Sequence, residues 1–136
     1  MKIWFGYGSE HSMNLVMIGH FRDAGGAAKA KQVIDELTSQ VLADSEAGLI
    51  DIGGRSDRYT DKMLDLLQKL HVHSIGPAEL EQLGYDFNLK IDDTKLVLTT
   101  DESDVSAFFK VMIDQGARVE VYSAHEYSET EYGRGK

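Results

Sequence analysis

The sequence predicts a single α+β domain in which helices cover one face of a largely antiparallel sheet. The first observation is the length of 136 residues, which suits one compact domain. The second is the alternation of short β-prone runs with segments at helical spacing. The third is that strand, acidic cap and helix occur in this order twice, which suggests a ferredoxin-like duplication of a β-β-α-β unit. Coincidence explains that similarity equally well, so the duplication stays open.

The first half of the chain begins with a predicted hairpin and a long helix. Residues 3–7 and 15–18 are β-prone runs separated by a polar segment, which predicts two strands joined by a long loop. Asp23 has a side chain typical of a helix N-cap, and the apolar residues after it keep helical spacing as far as Val41. We therefore expect one long helix after this hairpin.

A short strand and a second helix are predicted next. Residues 49–52 form an apolar run after Gly48, which predicts the strand. The second helix is expected to start between Asp57 and Thr60 and to end near His71, where an imidazole favours the carboxyl end of the helix dipole.

The second half repeats this order of elements. Apolar alternation on either side of a polar turn predicts a hairpin over residues 87–99. Ser103 or Asp104 is expected to cap the helix that follows, whose apolar stripe is the clearest in the chain. Residues 118–122 are predicted to form the closing strand.

Composition places the chain among soluble globular domains. Apolar residues make up 42% and charged residues 27%, which argues against intrinsic disorder. We expect the domain to span residues 1–127 and a polar C-terminal tail to span residues 128–136. There is no cysteine, no apolar run long enough for a membrane span and no signal-peptide pattern, so a cytoplasmic location is expected.

The charge balance bears on the kind of partner. The chain has 23 acidic and 14 basic residues, a formal net charge of −9. This charge disfavours nucleic acid and favours a basic protein partner, although acidic residues also serve simply for solubility. Monomer and homodimer both stay open, and charged residues on the predicted hairpin argue against pairing at its edge.

Two adjacent histidine and glutamate pairs follow apolar runs near the two ends of the chain. They are Glu10 with His11, and His125 with Glu126. Such side chains suit a divalent metal or acid/base chemistry near neutral pH. If the first and last strands are neighbours, His11 and His125 would lie close together. The favoured interpretation is two exposed polar loops, and no cofactor is predicted.

A candidate anion-binding loop precedes the second predicted helix. It contains Gly53, Gly54, Arg55 and Arg58, which could offer backbone N–H groups and guanidinium groups to a phosphate or carboxylate. The loop lacks the lysine and hydroxyl residue of a Walker sequence. Ion pairs between these arginines and neighbouring aspartates are the favoured alternative.

Three further histidines have simpler interpretations. His71 and His73 would point to one side of an extended segment, as in a metal site, but no third ligand is evident. A helix-terminal role for His71 is therefore favoured. His20 lies where a strand meets a helix cap and is interpreted as structural.

The favoured functional prediction is a small acidic protein-binding module, such as an inhibitor, an immunity-like neutraliser or an adaptor. Aromatic and acidic residues would contact the partner, namely Tyr7, Glu126, Tyr127 and Tyr132. The alternative is a small enzyme or ligand sensor with a His/Glu pocket, metal-dependent in one version, for an anionic or phosphate-bearing ligand. A non-enzymatic role is favoured because no recognised nucleophile motif occurs.

Overall fold

A computed structural model of the chain describes residues 15–54, 56–101 and 105–123. In chain order these contain β1 Leu15–His20, α1 Ala24–Glu46, α2 Asp61–Leu70, α3 Pro77–Leu80, a 3-10 helix Glu81–Gly84, β2 Asn88–Asp92, β3 Lys95–Thr100, α4 Ser106–Asp114 and β4 Arg118–Ser123. The predicted α+β single-domain fold is confirmed.

The four strands form an open antiparallel sheet in the order β2-β3-β1-β4. β1 therefore lies between β3 and β4. Its last residue, His20, lies opposite Lys95 on one side and Arg118 on the other. Its first residue, Leu15, lies opposite Ser123. The ferredoxin-like assignment and the internal duplication stay predictions.

The core lies between one face of this sheet and the helices. Strand residues Met17, Leu96 and Leu98 are fully buried together with Leu37 of α1 and Phe108 of α4. Because side chains alternate between the faces of a sheet, the residues between them in each strand point to the opposite face. We call that opposite face the outer face; the helices of the described residues pack on the inner one.

The predicted helix starts agree with the structure where they can be compared. Asp23 caps α1 by accepting a 2.8 Å hydrogen bond from the Gly26 N–H. Thr60 caps α2 by accepting one of 3.1 Å from the Met63 N–H. The predicted caps of α4, Ser103 and Asp104, lie outside the described residues. Within those residues no helix is long and apolar enough to cross a membrane.

The predicted strand at residues 49–52 is wrong, because this segment is a loop. The Leu49 N–H donates to the backbone carbonyl of Asp44 at 2.9 Å, which closes the end of α1 instead of pairing with a strand. Ile50 and Ile52 pack against the core from the loop, while Leu49 is 62% exposed. The apolar run thus reflects side chains that anchor a loop and carries no sheet ladder.

Candidate functional site

The predicted histidine and glutamate site cannot be placed from the described residues. Glu10, His11, His125 and Glu126 lie outside them, as do the predicted contact residues Tyr7, Tyr127 and Tyr132. The nearest described residues in sequence, Leu15 and Ser123, lie opposite each other in the sheet. A shared site for the two pairs stays a prediction.

The predicted anion-binding loop surrounds a carboxylate of the protein itself. The Gly53 N–H donates to Oε1 of Glu81 at 2.9 Å, and the Ser56 N–H donates to Oε2 at 2.6 Å. The Gly54 N–H donates to the Asp51 carbonyl at 2.8 Å. Glu81 is only 4% exposed. An external phosphate would have to displace this side chain to reach the same groups.

Arg58 and a second buried carboxylate line the same cleft. Asp44 of α1 is 3% exposed and accepts hydrogen bonds from Gln40 at 2.8 Å and from the Thr60 hydroxyl at 2.7 Å. These bonds hold the start of α2 against α1. Arg55 lies outside the described residues, so the two predicted arginines cannot be compared.

The histidines after α2 have the predicted helix-terminal geometry. His71 is the C-cap residue, with φ of 58°, and its N–H donates to the Gln68 carbonyl at 3.2 Å. Its left-handed backbone removes the extended geometry that would aim His71 and His73 to one side. Both line an open groove with Lys29 and Lys69. Nowhere in residues 15–54, 56–101 and 105–123 do three histidine or acidic side chains converge as a metal site.

The outer face of the sheet brings polar residues from four strands together. The strand register arranges its side chains in three rows, which run Asp92, Lys95, His20, Arg118, then Lys90, Val97, Ile18, Glu120, then Asn88, Thr99, Val16, Tyr122. Val16 is buried, whereas Lys95, Arg118 and Glu120 are exposed. The end of the face with the first row is therefore the accessible one.

A hydrogen-bonded network crosses from the first row to the third. Nε2 of His20 donates to Oε1 of Glu120, and the Tyr122 hydroxyl donates to Oε2 of Glu120 at 2.6 Å. The hydrogen bonds from Tyr122 and His20 lower the pKa of Glu120, and the charge of Arg118 adds to this effect. Glu120 is therefore an ionised acceptor that fixes the orientation of the His20 ring.

Cationic side chains lie next to this network. We call Lys95, His20 and Arg118, which occupy consecutive strands at directly opposite positions, the cationic row. Like charges directly opposite in a sheet are destabilising, so protonation of His20 between two cations has a cost that an anion would offset. The chemistry of the row suits hydrogen bonds to an oxyanion.

A family model matches residues 1–134, and the family is one of unknown function, DUF6375. The chain belongs to DUF6375. No curated protein and no solved structure matches the chain. The function of this DUF6375 member must therefore be argued from its own geometry.

Sequence reasoning missed this site in the DUF6375 protein. His20 is a lone histidine in the sequence, and Glu120 lies 100 positions away from it. The alternation of Arg118, Glu120 and Tyr122 does indicate that they share one face of a strand. Nothing in the sequence indicates that this strand pairs with β1, which is the fact that creates the network.

Proposed function

We propose that this DUF6375 protein binds a small anionic ligand on the outer face of its sheet, as a ligand sensor or small enzyme. The observation that supports the proposal best is the cationic row, because three neighbouring strands each contribute one cationic or titratable side chain at the same level. The outer face of a protein with a net charge of −9 thus carries a local positive excess.

The side chains of the row can converge on one oxyanion. Neighbouring strands are about 4.8 Å apart, so the backbones of Lys95 and Arg118 are roughly 10 Å apart on either side of His20. Long side chains from both can meet over the imidazole. An arginine guanidinium can bind carboxylate or phosphate through two hydrogen bonds, while a lysine contributes a compact charge.

His20 contributes its second nitrogen. Because Nε2 is bonded to Glu120, Nδ1 is the nitrogen that a ligand can contact. A protonated ring would donate from Nδ1 to an oxyanion, and a neutral ring would accept a proton there. His20 would thus be the ligand-sensing or acid/base residue, with Glu120 and Tyr122 as positioning residues.

The second row gives the ligand an apolar neighbour. Ile18 and Val97 lie opposite each other beside the cationic row and are half-buried. An organic oxyanion with a small apolar body would cover both, which adds favourable burial to the charge interaction. We therefore expect an organic phosphate or carboxylate to bind more tightly than inorganic phosphate.

Calorimetric titration with phenyl phosphate and with inorganic phosphate tests the proposal. Arg118→Ala is expected to weaken phenyl phosphate binding about tenfold, as for the loss of a charge-assisted hydrogen-bonding group. Lys62→Ala, which removes an exposed lysine of α2, is the matched control and should leave affinity unchanged. No binding to wild type, or equal losses in both variants, would refute the proposal.

A second proposal keeps the protein-binding module with a basic partner. It is supported by the acidic excess and by a groove between α1 and α2 that is lined by Asp35, Glu36, Ser39, Gln40 and Leu66. Acidic walls would speed association with a basic segment, and Leu66 would give it an apolar contact. This proposal does not involve the cationic row.

Charge reversal separates this second proposal from the first. The double variant Asp35→Lys/Glu36→Lys should lose a partner that wild type retains in affinity capture. A control with equal charge change, Asp61→Lys/Asp65→Lys, should retain it. Retention by both variants would exclude the groove as the binding surface.

A further inference from the structure

We infer that the loop at residues 51–56 is a carboxylate-binding site that the protein fills with its own Glu81. This inference is independent of the ligand proposed for the sheet. It concerns a different part of the molecule and assigns the loop an internal ligand, and hence an autoinhibitory contact.

The contacts are those of an oxyanion held by a backbone loop. Each carboxylate oxygen of Glu81 accepts one backbone N–H, from Gly53 at 2.9 Å and from Ser56 at 2.6 Å. N–H groups that converge from successive loop residues form a concave site that favours negative charge. The pair of contacts is therefore specific for a group with two acceptor oxygens.

The carboxylate comes from a separate element. Glu81 is the first residue of the 3-10 helix and lies 28 positions after Gly53 in sequence. With 4% exposure, it has given up hydration, and a buried carboxylate of this kind requires hydrogen-bond donors. The loop and the 3-10 helix thus depend on each other: one supplies donors and the other supplies charge.

The backbone of the loop is specialised for this contact. Gly53 has φ of 91°, a conformation that disfavours side chains, and a Cβ at this residue would lie 3.0 Å from the Tyr85 hydroxyl. The Gly54 N–H is used within the loop by the Asp51 carbonyl. Glycine at position 53 therefore permits the turn that aims its N–H at Glu81.

The contact explains how an anion-binding loop can be closed to external anions. A carboxylate on the same chain competes at a high effective concentration, so dilute external oxyanions cannot replace it. The wider cleft also contains the buried carboxylate of Asp44, which repels anions, opposite Arg58, which attracts them. The site becomes available only when Glu81 leaves or is removed.

Chemical rescue tests this inference. Glu81→Ala removes the carboxylate and leaves space for sodium formate, the probe. The melting temperature of this variant is expected to be below that of wild type and to rise with formate concentration, on the order of a few °C at saturation, relative to sodium chloride of equal ionic strength. A melting temperature that does not distinguish formate from chloride would overturn the inference.

Matched controls make the rescue specific. Asp44→Ala removes the other buried carboxylate of the cleft, whose recorded side-chain partners are an amide and a hydroxyl, and formate should not restore its stability. Repeating the rescue with Arg118→Ala in both backgrounds removes any contribution from the cationic row. Equal rescue of the Asp44 variant would show a general salt effect and count against the loop. Failure of phenyl phosphate to bind the sheet has no bearing on this result.

A second measurement applies if Glu81→Ala does not fold. Glu81→Gln is nearly isosteric but cannot accept both N–H groups with ionised oxygens. Amide hydrogen exchange at Gly53 and Ser56 is expected to be at least several-fold faster in this variant than in wild type, and unchanged in Asp44→Asn. Unchanged exchange at both amides in Glu81→Gln would overturn the inference.

Discussion

Individual carboxylates in this protein have different roles because their surroundings differ. Glu81 is buried and receives backbone N–H groups, whereas Glu120 is exposed and receives bonds from His20 and Tyr122. Glu79 is intermediate, with an ion pair to Lys110 at 2.7 Å. In each case the donors around the carboxylate, more than its position in the sequence, decide what it does.

The titration of Glu79 predicts a pH-dependent contribution to stability. Burial alone would raise the pKa of Glu79, but hydrogen bonds from the Gly76 N–H and from Lys110 outweigh it and leave the pKa lowered. A carboxyl with a lowered pKa in the folded state stabilises above its unfolded pKa, and this contribution is lost as pH falls through the folded value.

Glu79→Gln should therefore lower the free energy of unfolding at pH 7 by about 1 kcal/mol or less. Urea unfolding at pH 7 and in the acid range measures this, and the difference from wild type should shrink in acid. A difference that grows as pH falls would contradict the assignment.

Two glycines test the constraint on the loop. Gly53→Ala is expected to cost more stability than Gly48→Ala, although both have positive φ, of 91° and 76°. The left-handed conformation costs either alanine about 1 kcal/mol. Only at Gly53 does the new Cβ also approach another group, the Tyr85 hydroxyl. Thermal unfolding of both variants measures the difference, and equal costs would show that this approach is harmless.

At the scale of elements, the link between α1 and α2 depends on one hydroxyl. Thr60 accepts from the Met63 N–H as the cap of α2 and donates to Oδ2 of Asp44 in α1. The cap signal is visible in the sequence, but the second bond depends on how the two helices pack. One residue thus both starts a helix and places it.

Substitution of Thr60 should separate these interactions from simple propensity. Thr60→Ala is expected to lower the free energy of unfolding by about 1–3 kcal/mol, because it removes the cap and leaves Asp44 with one fewer donor. Thr60→Ser keeps the hydroxyl and should cost much less. Chemical denaturation of both variants provides the comparison, and similar losses would attribute the effect to the missing methyl group.

At the scale of the whole molecule, stability comes from the layer between the sheet and the helices. Leu98 in β3 is fully buried, whereas Ile91 in the edge strand β2 is 43% exposed. Leu98→Ala should therefore cost about 2–5 kcal/mol, and Ile91→Ala considerably less. Equilibrium unfolding of the two variants measures both values. Comparable costs would mean that the edge of the sheet is covered in solution.

Much of the fold could be predicted because its signals are local. The cap at Asp23, the hairpin over residues 87–99 and the amphipathic stripe of α4 each depend on neighbouring residues. The loop at residues 49–52 was mistaken for a strand because an apolar run does not reveal whether a ladder partner exists. The short helices at Pro77–Leu80 and Glu81–Gly84 had no recognised signal.

The sequence by itself determined the class of fold, the net charge and most element boundaries, because composition, caps and hydrophobic period act over a few residues. It also identified the glycine loop as suited to an anion. Only the tertiary structure decided that Glu81 occupies this loop and that His20 meets Glu120 beside Lys95 and Arg118. These contacts join residues far apart in sequence, and they exist because strand order, register and helix packing are set by the burial of the whole core.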